Sequence, residues 1–170
     1  LRRAIVWMDK RAVQQGKDLR KGKPKDYFYK KTGWRLSSGL NLAQIKWVKD
    51  NQPEIFKNTH KFLSTIDFIN YKLTGEYVID LTNAGITHLA DLEKREWNKE
   101  ILEEIEIDQT ELADLNSSGE IIGNLTKAAA EQLGLPANVK VISGGHDQYC
   151  VALGAGAVNK GDVLLATGTA

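Results

Sequence analysis

The chain has 170 residues, 42% hydrophobic and 26% charged, with a formal net charge of +1, the composition of an ordinary globular domain with a core of its own. No apolar run approaches the roughly 20 residues that cross a bilayer and no signal-peptide pattern stands in it, so a membrane partner is not expected. The one cysteine, Cys150, excludes an internal disulfide and suits a reducing cytoplasm.

The sequence opens on Leu1 rather than Met and stops on Thr169-Ala170 just after a strand signal, which leads us to expect a segment of a longer protein. Ala4 to Met8 is a short β-rich apolar run, followed by a polar helical stretch from Lys10 to Arg20 and a turn at Lys21-Gly-Lys-Pro24. Thr32-Gly33 and Ser37-Ser-Gly39 punctuate the next connection. Leu40, Ala43, Ile45, Trp47 and Val48 then give an amphipathic helix that ends at or shortly before Pro53. Lys61-Phe-Leu63 reads as a brief strand, and Ser64-Thr65 caps a helix through Tyr71 to Leu73 that Gly75 stops. Asp80 to Gly85 predicts a helical turn, with an extended segment around Ile86 to Leu89. Trp97 to Ile105 has helical spacing, with Ile101, Leu102 and Ile105 on one face. Ser117-Ser-Gly119 is a turn, Glu120 to Gly123 is extended, and Thr126 to Leu133 is an Ala-rich helix closed by Gly134 and Pro136. The end reads as a strand over 139–143, a helix over 147–155 and a strand over 162–166. Strands and helices alternate without repeats, so the class is α/β with an at least partly parallel sheet.

Charge is unevenly spread. Residues 1–50 carry 14 Lys and Arg against 4 Asp and Glu, and the remainder 9 against 18. A basic front half with Tyr27, Phe28 and Tyr29 among its lysines has the look of a nucleic-acid surface. No recognised nucleic-acid motif accompanies it, and a solvated helix face with a loop is the simpler account, so no nucleic-acid partner is expected. The Glu-rich stretch from Glu93 to Glu111 is likewise a solvated face.

The most informative run is Val139-Lys-Val-Ile-Ser-Gly-Gly-His-Asp-Gln148. A strand breaks at Gly144-Gly145, where the backbone turns sharply or admits a ligand, and delivers the Asp147 carboxylate to the mouth of a helix. Ligands collect beyond the carboxyl ends of strands in open α/β sheets. Position alone leaves two readings open for Asp147: a helix N-cap or a base that takes a proton from a substrate. Gly161-Asp-Val-Leu-Leu-Ala-Thr-Gly-Thr169 reads as a second strand ending in a small hydroxyl-bearing turn, whose N–H groups suit phosphate oxygens. Together they suggest phosphoryl transfer to a hydroxyl. His146-Asp147 also resembles the dyad of metal phosphohydrolases, but that dyad lies within helices and draws on further histidines, and only His60 and His88 remain, both distant in sequence. Gly154-Ala-Gly156 comes late in a helix at the wrong spacing for a dinucleotide fingerprint. Trp7, at the end of the first strand, is either core packing or a flat face for a sugar; Trp34, Trp47 and Trp97 read as structural.

Taken in order, Ala4-Ile-Val-Trp-Met-Asp-Lys-Arg11, Leu42-Ala-Gln-Ile-Lys-Trp-Val48 with Pro53-Glu54, Asp67-Phe-Ile-Asn-Tyr-Lys-Leu-Thr-Gly75, Asp80-Leu-Thr-Asn-Ala84, Trp97, Gly144-Gly-His-Asp-Gln148 and Gly168-Thr169 resemble the FGGY carbohydrate kinases, the family of xylulose, glycerol and gluconate kinases. The resemblance covers essentially the whole chain. It implies a ribonuclease H-like fold of the actin-like ATPase superfamily, two-lobed, with the sugar deep in the cleft. Residues 1–170 would be the central to C-terminal part of the N-terminal, sugar-binding domain, without the first phosphate loop and the second lobe. It implies that Asp147 is the catalytic base, that Gln148 hydrogen-bonds the substrate, that Trp7 lines its pocket, and that Gly168 and Thr169 contact the phosphates of ATP, which works with Mg²⁺. The partners are then a small sugar, xylulose by default, and ATP, with a homodimer allowed. The segment alone is expected to fold at least in part without turning over ATP. The non-enzyme alternative is an actin-like module that binds sugar for regulation. Two departures stand out: the family usually has Lys where Gln44 stands and Pro, Ser or Thr where Asn41 stands, and glycerol kinases place a substrate-contacting Tyr where Gly39 aligns. Lack of that ring predicts a more open pocket and a sugar larger than glycerol.

Overall fold

The computed structural model describes residues 3–167. Two helices, α1 (Val13–Arg20) and α2 (Tyr27–Thr32), precede α3 (Asn41–Asn51) and the short α4 (Pro53–Lys57). Pro53 begins α4 rather than merely ending α3, at the first helical position where its missing N–H costs nothing. Next come α5 (Thr65–Thr74), β1 (Val78–Asp80), α6 (Leu81–Ile86), β2 (Ala90–Asp91), β3 (Glu96–Trp97) and α7 (Lys99–Ile105). A 3₁₀ turn at Gln109–Glu111 leads into β4 (Asp114–Asn116), β5 (Ile121–Asn124), α8 (Lys127–Leu133), β6 (Lys140–Ile142) and α9 (Asp147–Gly154). The class is α/β, and the parallel pairing is between β1 and β4; β2–β3 and β5–β6 are antiparallel.

The helix ends follow the capping chemistry of the sequence. Gly75 and Gly134 close α5 and α8 in the left-handed region, at φ 85° and 66°, where a glycine has no Cβ to clash. The Asn98 side chain accepts from Ile101 N–H at 3.2 Å and starts α7. That helix buries Ile101, Leu102 and Ile105 in one core with Leu19, Leu42, Ile79 and Leu89. A smaller cluster of Leu125, Ala129 and Ala130 packs against Val139, Val141 of β6 and Leu73 of α5.

The exposed side of α7 explains the uneven charge. Glu104, Glu100 and Glu106 pair with Lys23 at 2.7 Å, Lys31 at 2.7 Å and Lys49 at 2.8 Å. The basic front half therefore folds against the acidic middle, through partly exposed ion pairs that each contribute little.

Three expected strands do not form. Ala4 to Met8 is extended and turning, with Val6, Trp7 and Met8 exposed. Residues 162–166 are irregular, with Val163 and Leu165 exposed. Lys61–Leu63 makes one ladder-like bond, Phe62 N–H to Glu111 C=O at 2.8 Å. Among the described residues no strand pairs with any of the three, and β-propensity without a ladder fixes nothing. The segment expected to be extended at Ile86 to Leu89 is instead the end of α6 and a turn, and the strand begins at Ala90.

Two buried titratable groups set the expected pH response. His88 is fully buried, and its Nε2 accepts Ser37 N–H at 3.1 Å. Burial, and secondarily the Arg20 charge, lowers its pKa from 6.5 to about 4. Burial raises Asp67 from 3.8 to about 6, against the opposing hydrogen bond from the Ser64 hydroxyl. His88 has its folded value below its unfolded one, so its contribution is whole above pH 6.5 and is lost as pH falls toward 4. Asp67 is the reverse: its contribution is whole below pH 3.8 and is lost as pH rises through 6. Each shift corresponds to about 3 kcal/mol, and the two oppose across the same window. Between pH 6.5 and 4 they should offset each other to within about 1 kcal/mol. Asp67→Asn should unmask His88, so that stability from urea denaturation drops by about 3 kcal/mol between pH 7 and 4. A flat profile in that variant would contradict the assignment to His88.

Candidate active site

The site is built where two turns meet. Asp80 ends β1 and is the N-cap of α6, accepting from the backbone N–H groups of Thr82 at 2.9 Å and Asn83 at 3.1 Å. The carboxylate is fully buried and also takes the Asn83 amide at 2.6 Å, the Ser118 hydroxyl at 3.4 Å and the Thr82 hydroxyl. Thr82 in turn reaches the second turn: its Oγ1 accepts His146 N–H at 2.7 Å. Gly145 lies closest to α9 itself: a Cβ there would stand 3.1 Å from Cys150 Sγ, and 3.6 Å, an ordinary contact, from Thr82 Oγ1.

His146, rather than Asp147, is the N-cap of α9; its Nδ1 accepts Gln148 N–H at 3.3 Å. The N-cap is defined by a β-region backbone, which His146 has at φ −61° and ψ 136°, leaving Asp147 as the first helical residue. The cap reading of Asp147 is thereby corrected. The Asp147 side chain is 77% exposed, with His146 Nδ1 at 3.2 Å and Gln148 N–H at 2.7 Å as its neighbours. The His146 ring packs edge-on against Trp34 at 5.3 Å and Tyr149 at 5.8 Å between centroids, so Trp34 holds the site's flank.

Gln148 is exposed beside Asp147. Trp7 is 65% exposed, so it is not core packing. Its segment meets two of the three positions that depart from the family pattern, Gln44 and Gly39. The Gln44 amide donates to Val6 C=O at 3.2 Å and Gly39 C=O at 2.7 Å, and a Cβ on Gly39 would lie 2.2 Å from the Trp7 carbonyl oxygen. The space expected to be open beside Gly39 is thus filled by the Trp7 backbone, and the larger-sugar expectation loses that ground. Trp7 and Asp147 both border the Trp34–Gly39 segment, one at Gly39 and the other through His146 at Trp34. Gly168 and Thr169 lie outside the described residues.

The metal-dyad reading has no ligand set behind it. His88 is buried against Ser37, His60 meets Tyr77 edge-on at 6.2 Å between centroids, and no group of three or more His, Cys, Asp or Glu comes together as a cage among the described residues. A groove of about 610 Å³ lined by Arg20, Lys23, Lys25, Phe28, Tyr29 and Arg35 gathers the basic and aromatic cluster; Trp7, Asp147 and Gln148 do not border it. No helix among the described residues is long and apolar enough to cross a membrane.

The gluconate kinase of Lactobacillus acidophilus superposes with a TM-score of 0.86 at 25% identity, over 93% of this chain and 32% of that one. The fold is accordingly the α/β fold of the actin-like ATPase superfamily. The xylulose kinase of Bacillus subtilis is 33% identical over 169 residues, 99% of this chain and 34% of that protein. The L-fuculokinase of Escherichia coli K12 is 37% identical over 128 residues, 75% of this chain and 27% of that protein. The profile of the FGGY family of carbohydrate kinases, N-terminal domain, matches residues 1–154. The chain belongs to that family, and it spans about a third of the length of the xylulose kinase it matches.

Proposed function

We propose that the complete protein containing this domain transfers the terminal phosphoryl group of ATP to a hydroxyl of a sugar, xylulose or a related ketose, polyol or sugar acid, with Asp147 as general base. The observation that carries this is the Asp147 carboxylate itself. It stands exposed at the first position of α9, behind a glycine pair that ends a strand, with its chain neighbours His146 and Gln148 beside it. A base so placed is open to a substrate hydroxyl on its solvent side. Gln148, next along the helix, would hydrogen-bond the same sugar, and the exposed face of Trp7 would cover part of its carbon skeleton. Gly168 and Thr169 would meet the ATP phosphates. Mg²⁺ would arrive with those phosphates, since such ions need only one or two carboxylates beyond them. Residues 1–170 are then the central to C-terminal part of the sugar-binding domain, inactive alone.

ADP release by the complete protein, measured over pentuloses, hexuloses, polyols and gluconate, tests this reading. Xylulose-dependent release is the expected result, with none from residues 1–170 alone. Sugar binding by calorimetry with no ADP from any substrate would replace it with a regulatory sugar-binding module.

A further inference from the structure

The turn that carries Asp147 is fixed in space by one side chain from another part of the fold. Thr82 has a single hydroxyl proton, and it goes to the buried Asp80 carboxylate, which can only accept. Its oxygen lone pairs are left facing outward, and His146 N–H, which can only donate, meets them at 2.7 Å. The direction of both bonds is therefore forced. Asp80 is held in turn by the α6 backbone, Asn83 and Ser118, so the hydroxyl has no freedom to rotate away. On the receiving side, His146 is the N-cap of α9 and Asp147 the next residue. A shift of the His146 peptide moves the Asp147 carboxylate with it.

We propose that Thr82 is the positioning residue of this site: its hydroxyl, aimed by Asp80, holds the Gly145–His146 peptide and thereby sets where the Asp147 carboxylate stands. The proposal rests on Asp147 acting as the base. Misplacement of a reacting group by about 1 Å costs on the order of 10²-fold in rate, so loss of this tether is felt in turnover more than in sugar binding.

The test compares Thr82→Val, Thr82→Ser and Asp147→Asn in the complete protein, by kcat and sugar KM and by hydrogen exchange at the His146 amide. Thr82→Val, of the same shape but without the hydroxyl, should speed exchange at His146 while leaving Ile101 and Leu102 protected. It should lower kcat by about 10–100-fold with sugar KM within a few-fold. Thr82→Ser should restore both. If Thr82→Val does not accumulate folded, Thr82→Ala is measured for the same pair of effects. Unchanged exchange at His146, or faster exchange with wild-type kcat, overturns the positioning role. Wild-type turnover in Asp147→Asn instead removes the base reading, and with it the catalytic part of this proposal.

Discussion

The Asp147→Asn substitution in the complete protein is expected to lower sugar phosphorylation by about 10²–10⁴-fold, the range a general base contributes, while sugar affinity stays within a few-fold. The geometry separates the two effects. An asparagine keeps the size of the side chain and its hydrogen-bonding oxygen, so contacts that merely seat a sugar persist. It cannot take the proton of the attacking hydroxyl. Little of the loss should come from the fold, because the side chain is 77% exposed, the N-cap of α9 is His146, and an asparagine oxygen can still accept Gln148 N–H. The one structural contribution removed is a negative charge at the first turn of α9, about 0.3–1 kcal/mol at such exposed positions. Steady-state phosphorylation and calorimetric sugar binding, run on the same preparation, check both halves. Parallel loss of affinity and rate would make Asp147 a binding group rather than a base.

The elements legible in the sequence are those whose causes are local. The Gly75 and Gly134 stops, the Ser64 start of α5 and the i, i+1, i+4 pattern of Ile101, Leu102 and Ile105 all sit within one or two helical turns of what they determine. Strands were harder, because a strand exists only by its neighbour: Val78–Asp80 pairs with Asp114–Asn116, three residues each and too short to show alternation, whereas the apolar Ala4–Met8 run has no ladder among the described residues. The turn bearing Asp147 was visible in Gly144-Gly145, yet the cap was misplaced by one residue. Cap position is a matter of backbone torsion, and a histidine ring nitrogen can accept there in place of a carboxylate. Thr82 was invisible as a site residue, and the close approach of Gly39 to Trp7 was unforeseen, for the same reason that the Lys23–Glu104 pair was. Their partners, His146, Trp7 and Glu104, stand tens of residues away. Asp80 had a local signal, an Asp followed at two and three positions by Thr and Asn in the manner of a helix start, though nothing local foretold its full burial.

Asp80→Ala is expected to remove about 3–5 kcal/mol of stability, the loss of a helix cap added to buried donors left without an acceptor. Five hydrogen bonds converge on this carboxylate from Thr82, Asn83 and Ser118, and the side chain is fully buried, so water reaches the orphaned groups only if the turn opens. Against a typical total of about 5–15 kcal/mol, that is a large part of the margin. Asp80→Asn should cost less, about 1–3 kcal/mol, because one oxygen remains to accept while the new amide faces the Asn83 amide. The ordering Ala above Asn is the informative result, read from urea midpoints at constant slope. A loss below about 1 kcal/mol in Asp80→Ala would mean that the donors find water without cost and that the network is loosely held. The contrast with Thr82 follows from the same geometry. Removing the Thr82 hydroxyl takes away one donor and one acceptor together, leaving four bonds on Asp80, so its consequence falls mainly on where α9 begins. Asp80 keeps the junction of the two turns folded, and Thr82 transmits that rigidity to the residue proposed to do the chemistry.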